Sequence, residues 1–126
     1  MLNYYENDYA VYELKASLLY ITYKEGLYID YEAAQTIVQD RLRFQSYTAY
    51  PVLCDVSQVS DISSDAREYL AIYGSTLTKI VALVSSSPTL FQWASYFISI
   101  NQPKVSTRVF HNLEEAETFL KNDTTS

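Results

Sequence analysis

Short apolar runs alternate with segments of helical periodicity along most of this chain, and that alternation limits the folds it can adopt. Residues 51–57 and 79–85 are mainly apolar runs of strand length, typical of strands buried on both faces of a sheet. Residues 30–45 and 88–100 instead repeat apolar side chains at helical spacing. Strands that alternate with helices join through right-handed crossovers, so we predict an α/β fold with a mostly parallel sheet flanked by helices.

Further elements extend this pattern at both ends of the chain. Residues 9–15, 17–24 and 105–111 are rich in aromatic and β-branched side chains and are predicted strands. A last helix is expected after residue 112. The predicted order is therefore β-β-α-β-α-β-α-β-α, with a five-stranded sheet. The helix between the two apolar runs is expected to carry its apolar face on Ala66, Leu70, Tyr73 and Leu77.

Three predicted helices start at side chains that can cap them. Asp30 precedes the first helix as an N-cap. Ser87 is followed by Pro88, which is favoured at the first helical position because its missing N–H is not needed there. Asn112 and Glu115 form a capping-box-like pair at the start of the last helix.

The composition fits one acidic domain, which we expect over residues 1–121 with a disordered tail at 122–126. The net charge of −6 disfavours binding to nucleic acid or to an anionic membrane by charge alone. Arg41 and Arg43 fall in the last turns of the first predicted helix, where they complement its dipole. The single cysteine requires no oxidising compartment, and the aromatic, acidic N-terminal segment does not resemble a signal peptide, so a cytoplasmic location is expected.

No arrangement of residues indicates catalysis, a metal or a cofactor. Cys54 lies inside an apolar strand and His111 is the only histidine, so no catalytic triad is visible. The chain has two glycines and no phosphate-binding or dinucleotide motif. A charge-free run separates Lys79 from Lys104, but the serine–proline step inside it indicates a strand followed by a helix rather than a membrane span. We therefore predict a protein that is not an enzyme and has no cofactor.

Residues 52–66 carry a resemblance to a known family. Asp55, Ser57 and Val59 follow an apolar run and precede a serine pair, a pattern similar to that of the STAS domain, the fold of SpoIIAA-like anti-sigma factor antagonists. The C-terminal half resembles an uncharacterised bacterial branch of STAS/SEC14-type domains. Asp55 also ends a strand where open α/β sheets often bind ligands, although an aspartate there commonly orders the next turn.

The resemblance implies a non-enzymatic regulatory domain that works by protein–protein contact. The family's phosphorylated serine corresponds to Ser64, or to Ser63 if the register slips by one residue. A phosphate there would meet the positive end of a helix dipole. The residues themselves also allow a simpler interpretation, in which one serine caps the helix or Asp65 and Glu68 form a box of their own.

The helix after Pro88 is apolar on two sides. One face, expected to lie on the sheet, comprises Leu90, Phe91, Ala94, Phe97 and Ile98. Trp93, Tyr96 and Ile100 form a second stripe. That stripe fits a homodimer surface, a partner-binding surface or the wall of an apolar ligand pocket. Alternatively, a neighbouring helix or the Tyr4–Tyr5 segment covers it within the monomer. SEC14 kinship makes a small apolar ligand or lipid carrier or sensor the alternative function.

Overall fold

The computed structural model describes residues 3–124, with side chains described for residues 3–122. Within residues 3–124 the chain forms eight strands and four helices. The strands are β1 (Tyr4–Glu6), β2 (Ala10–Lys15), β3 (Leu18–Tyr23), β4 (Leu27–Ile29), β5 (Tyr50–Asp55), β6 (Val59–Ile62), β7 (Thr78–Val84) and β8 (Thr107–Phe110). The helices are α1 (Tyr31–Phe44), α2 (Ser64–Tyr73), α3 (Pro88–Asn101) and α4 (Leu113–Thr124).

The main sheet is mixed, with a parallel centre as predicted. Its strand order is β1-β2-β3-β5-β7-β8. β2 runs antiparallel to β1 and β3, whereas β3, β5, β7 and β8 are parallel to one another. Each parallel connection passes through a helix, which is why the helices lie on the faces of the sheet. The predicted α/β class is confirmed.

The strand count was predicted wrongly. All five expected strands are present, but β1, β4 and β6 are additional, and β4 pairs with β6 in a separate two-stranded parallel sheet. β1 and β4 have three residues each and β6 has four. Strands this short do not complete an alternating pattern, so periodicity alone does not reveal them.

The two faces of the sheet carry separate cores. Helices α1, α2 and α3 cover one face with small, branched and aromatic side chains, including Ala34, Ile37 and Phe97. Helix α4 packs on the other face, where Ala116 and Leu120 contact a cluster that includes β5, β7 and the start of β3. β5 takes part in both cores and is buried through most of its length, as a central strand must be.

The predicted caps at three helices are present. The Asp30 carboxylate accepts a hydrogen bond from the Ala33 amide at 2.8 Å. Ser87 Oγ accepts one from the Leu90 amide at 3.4 Å. Asn112 Oδ1 accepts one from the amide of Glu115 at 2.9 Å, and Asn112 Nδ2 donates to the Glu115 carboxylate at 3.2 Å.

The lengths of α3 and α4 bear on two further predictions, the absence of a membrane span and the disordered tail. The charge-free run divides into β7 and the 14-residue α3, and within residues 3–124 no helix combines the length and the apolar character that crossing a bilayer requires. Helix α4 extends to Thr124, so residues 122–124 of the expected tail are helical. Residues 125 and 126 of that tail lie outside the described residues.

Helix α4 provides a direct test of the second core. Leu120 is fully buried against the sheet, whereas Leu113 on the same helix is 46% exposed. Leu120→Ala removes buried methyl groups and leaves a cavity, so we expect a loss of about 2–5 kcal/mol in the free energy of unfolding. Leu113→Ala, the matched control, should change it by less than about 0.5 kcal/mol. Urea denaturation measures both, and equal effects would contradict this account of the core.

Candidate functional site at the second helix

Helix α2 begins at the edge of the sheet where the parallel strands end. In the turn between β5 and β6, Asp55 accepts a hydrogen bond from the Ser57 amide at 3.0 Å, which orders this turn. Ser57 Oγ in turn accepts a hydrogen bond from the Ser86 amide at 3.2 Å. The two strand-end residues singled out in the sequence therefore join the loops after β5 and β7.

Ser63 is the N-cap of α2. Its backbone is extended, and its hydroxyl oxygen accepts a hydrogen bond from the Ala66 amide at 3.2 Å. The same hydroxyl donates to the Asp65 carboxylate, which also accepts from the Ala66 amide. Asp65 therefore supports the cap from inside the helix, and the alternative cap made by Asp65 and Glu68 is wrong.

Ser64 is exposed at the first position of α2 and has a basic neighbour. Its hydroxyl oxygen accepts a hydrogen bond from Arg67 Nη2 at 3.1 Å. The Arg67 guanidinium also lies 5.8 Å from the centre of the Tyr96 ring, within cation–π range. Its Nε atom is buried and has no hydrogen-bond partner in the described part of the chain. Arg67 thus connects the exposed serine of α2 to the surface of α3.

Aromatic side chains form a second surface, on α1 and α2. The rings of Tyr31 and Tyr69 meet edge to face at 5.4 Å, and those of Tyr69 and Tyr73 lie 4.8 Å apart. Tyr31, Ile72 and Tyr73 are 43%, 46% and 51% exposed. We call Tyr31, Tyr69, Ile72 and Tyr73 the tyrosine surface. Tyr73 was expected on the buried face of its helix and lies on the outer face instead.

The structure divides the stripe predicted on α3. Tyr96 and Ile100 are more than half exposed, whereas Trp93 is half-buried and stacks on Phe97 at 6.1 Å between ring centres. Tyr4 and Tyr5 do not cover the stripe, because they belong to β1 at the edge of the sheet opposite β8, on which α3 packs. Trp93 therefore faces inward, and only Tyr96 and Ile100 remain at the surface.

Trp93 lines a cavity of about 100 Å³ between the sheet and helices α1 to α3. Cys54 and Tyr23 also line it. Burial raises the pKa of the Cys54 thiol to about 11, against the opposing effect of Arg41. At neutral pH the thiol is therefore protonated and a poor nucleophile. Among residues 3–122 no group of histidine, cysteine or acidic side chains is arranged to hold a metal.

The sequence did not indicate functional roles for Arg41, Arg67 or the tyrosine surface. For Arg41 the sequence contained a signal, because Arg41 follows Ile37 by four residues and so lies on the apolar face of α1. In the structure Arg41 is only 2% exposed. Tyr69 and Tyr73 are four residues apart, so the sequence places them on one side of α2. The spacing did not indicate whether that side faces the core. In the structure the fully buried residues of α2 are alanines, which lie on another side of the helix.

Comparisons with known proteins agree with this fold. The sequence model of a family described as a domain of unknown function, DUF7793, matches residues 12–124. An uncharacterised protein of the DUF3478 family with a SpoIIAA-like fold, from Shewanella loihica PV-4, superposes with a TM-score of 0.59 at 15% identity, covering 92% of this chain and 98% of that one. No curated protein matches the sequence.

A second solved structure is the anti-sigma factor antagonist SpoIIAA in its unphosphorylated form. It superposes with a TM-score of 0.50 at 15% identity, covering 90% of this chain and 97% of that one. At this level of identity the two structures establish a SpoIIAA-like fold, as the resemblance predicted, and nothing about activity.

The cap geometry predicts different effects for the two serines. Ser63→Ala removes one of the two oxygens that accept from the Ala66 amide, while Asp65 keeps the other, so we expect a loss of about 0.5–1 kcal/mol in the free energy of unfolding. Ser64→Ala, the neighbouring control, loses only an exposed hydrogen bond to Arg67 and should change stability by less than about 0.5 kcal/mol. Urea denaturation at pH 7 measures both. A larger loss at Ser64 would show that the cap is assigned to the wrong serine.

Alkaline pH should destabilise the protein partly through Cys54. The thiol titrates at 9.0 when unperturbed and at about 11 in the fold, so between these values the unfolded state releases a proton that the native state keeps. The free energy of unfolding should fall by about 1.4 kcal/mol per pH unit from this group, and Cys54→Ala should remove that contribution. Denaturation at pH 8, 9, 10 and 11 measures it. If the free energy of unfolding falls equally with pH in the wild type and in Cys54→Ala, the raised pKa of Cys54 is refuted as a cause.

Proposed function

The chain belongs to the DUF7793 family and has a SpoIIAA-like fold, and we propose that it is a non-enzymatic regulatory domain that binds a protein partner. The observation that carries the proposal is the tyrosine surface of α1 and α2, with Tyr69 and Tyr73 in ring contact and Ile72 beside them in the helix. A cytoplasmic location belongs to the same proposal.

Tyrosines suit a binding surface for physical reasons. Each ring offers a large apolar area at a small cost in side-chain entropy, and its hydroxyl can still bond to water in the free state. Tyrosine is accordingly enriched among the residues that dominate interface energies. In this surface the rings of Tyr31 and Tyr73 both rest on Tyr69, so they are partly ordered before a partner arrives.

We propose Ser64 as a regulated residue at the start of the helix that carries this surface. Ser63 already uses its hydroxyl as a cap, whereas Ser64 is exposed and has Arg67 within hydrogen-bond distance. A phosphate on Ser64 would form a stronger, charge-assisted pair with the guanidinium than the hydroxyl does. Arg67 would then move away from the Tyr96 ring, and the added charge would change the surface that the partner meets.

The lipid-carrier alternative receives less support from the cavity. Pockets that enclose ligands of drug size measure roughly 300–1,000 Å³, and lipid acyl chains are at least as large. The cavity beside Trp93 measures about 100 Å³. A lipid would therefore need a substantial opening of the fold.

Photo-crosslinking in the native host tests the proposed surface. A crosslinking amino acid replaces Tyr73 in one variant and Tyr47, which is 65% exposed on the turn after α1, in the control. We expect one recurrent protein adduct from position 73, absent from position 47. The adduct should disappear when Ile72→Asp is added, because a charge would then be buried in the interface. Equal adducts from both positions would contradict a specific surface.

Substitutions at Ser63 and Ser64 test the proposed regulation by phosphate. Ser64→Asp should reduce the yield of the position-73 adduct at least tenfold, whereas Ser64→Ala should leave it within twofold. Ser63→Asp is the matched control for charge. If Ser63→Asp and Ser64→Asp weaken the adduct equally, the effect is one of general charge, and the role of the Ser64–Arg67 pair is rejected.

A further inference from the structure

The cavity beneath α1, α2 and α3 contains a charged group. Its walls are mainly apolar and come from β3, β5 and β7 on one side and from the helices on the other. Arg41 lines this cavity and is 2% exposed. Within the described part of the chain it is the only charged residue among those that line the cavity.

Among residues 3–122, the Arg41 guanidinium has only neutral hydrogen-bond partners. One terminal nitrogen donates to the side-chain oxygen of Gln45, and the other donates to the Gly74 carbonyl at 3.1 Å. The ion pairs formed among the described residues involve Arg43 with Asp40 and Lys24 with Glu6, and none includes Arg41. Asp40, the adjacent residue, points its carboxylate to Arg43 and Asn7 instead.

This arrangement is costly unless an anion joins it. Removing a guanidinium from water costs several kcal/mol, and buried charges are therefore normally paired with an opposite charge. Burial lowers the pKa of Arg41, but arginine stays protonated at neutral pH. The chain has 15 acidic residues, and none of those whose side chains the structure describes forms an ion pair with Arg41.

We propose that the cavity is a binding site for a small apolar monocarboxylate whose carboxylate pairs with Arg41. The planar guanidinium matches a carboxylate in geometry, and the apolar walls match a short hydrocarbon chain or ring. A cavity of about 150 Å³ is known to admit benzene, so about 100 Å³ limits the acid to a short chain of no more than about four carbons. Tyr23 and Cys54 provide further hydrogen-bond donors on the same wall.

The site is separate from the tyrosine surface, so the proposal does not rest on the proposed partner binding. Arg41, Cys54 and Tyr23 lie on α1, β5 and β3, and they face the interior. Loss of a carboxylate site would leave the partner adduct at position 73 unchanged, and loss of the adduct would leave carboxylate binding unchanged.

The test is a titration of the full chain followed by two-dimensional amide NMR at pH 7. The ligands are butyrate, the uncharged 1-butanol and the cationic butylamine. We expect butyrate to bind at least tenfold more tightly than either control, with shifts at the amides of Arg41, Cys54 and Gly74. Equal affinity for butyrate and 1-butanol, or shifts confined to surface lysines, would overturn the proposal.

Two variants connect the binding to Arg41 and to the cavity. Arg41→Met replaces a buried charge by an apolar chain of similar length, which is often tolerated, and should weaken butyrate binding at least tenfold while leaving 1-butanol unchanged. Trp93→Leu enlarges the cavity and should move the preferred acid from butyrate towards hexanoate. Unchanged butyrate binding in a folded Arg41→Met protein refutes the assignment. If that variant does not fold, the comparison of acids of different length with the uncharged and cationic ligands is made on the wild type and on Trp93→Leu. A preference for the acid that does not lengthen in Trp93→Leu refutes the cavity as its site.

Discussion

A buried polar network centred on Gln45 determines how the helical layer joins the sheet. The Gln45 side chain is fully buried, and its amide donates to the carbonyl of Thr48 at 2.8 Å and to that of Leu77 at 2.9 Å. Its oxygen accepts from Arg41, which also holds the carbonyl of Gly74. One side chain therefore links the end of α1, the turn into β5 and the turn into β7. Removing it would leave several buried polar groups unpaired, each at a cost of about 1–3 kcal/mol.

The same network allows an unusual backbone at both turns. Ser46, Tyr47 and Leu77 have positive φ angles of 51°, 56° and 58°, a conformation that costs non-glycine residues roughly 1–2 kcal/mol each. The chain contains only two glycines and neither lies at these positions, so the strain must be offset by contacts rather than avoided. Hydrogen bonds from Gln45 to the carbonyl of Leu77 supply part of that offset. Arg41 belongs to the same network, because it donates hydrogen bonds to Gln45 and to the carbonyl of Gly74.

The parts of the fold that sequence predicts are those governed by local rules. Asp30, Ser87 and Asn112 cap their helices as expected, because a cap depends on a few adjacent residues. The β5 and β7 runs are buried as their composition indicates. Local rules do not reveal which side of an element meets another. Tyr73 shares helical spacing with Ala66 yet lies outside, because α2 packs through its alanines. Arg41 was assigned to the helix dipole because no local rule predicts that a charge is buried without a carboxylate.

Helix α2 connects the two proposed sites, since it contributes residues to both. Its fully buried side chains are Ala66 and Ala71, and Tyr69 and Leu70 pack partly buried against the same core. Hydrogen bonds to other elements hold both of its ends. At the start, the Ser63 amide donates to the carbonyl of Ile29 at 3.0 Å. At the end, the Gly74 carbonyl accepts a hydrogen bond from Arg41. The guanidinium of arginine has five donors, so a carboxylate can pair with Arg41 while the Gly74 carbonyl keeps its hydrogen bond. The position of α2 is then the same with and without an acid in the cavity, which is why the two proposed sites act independently.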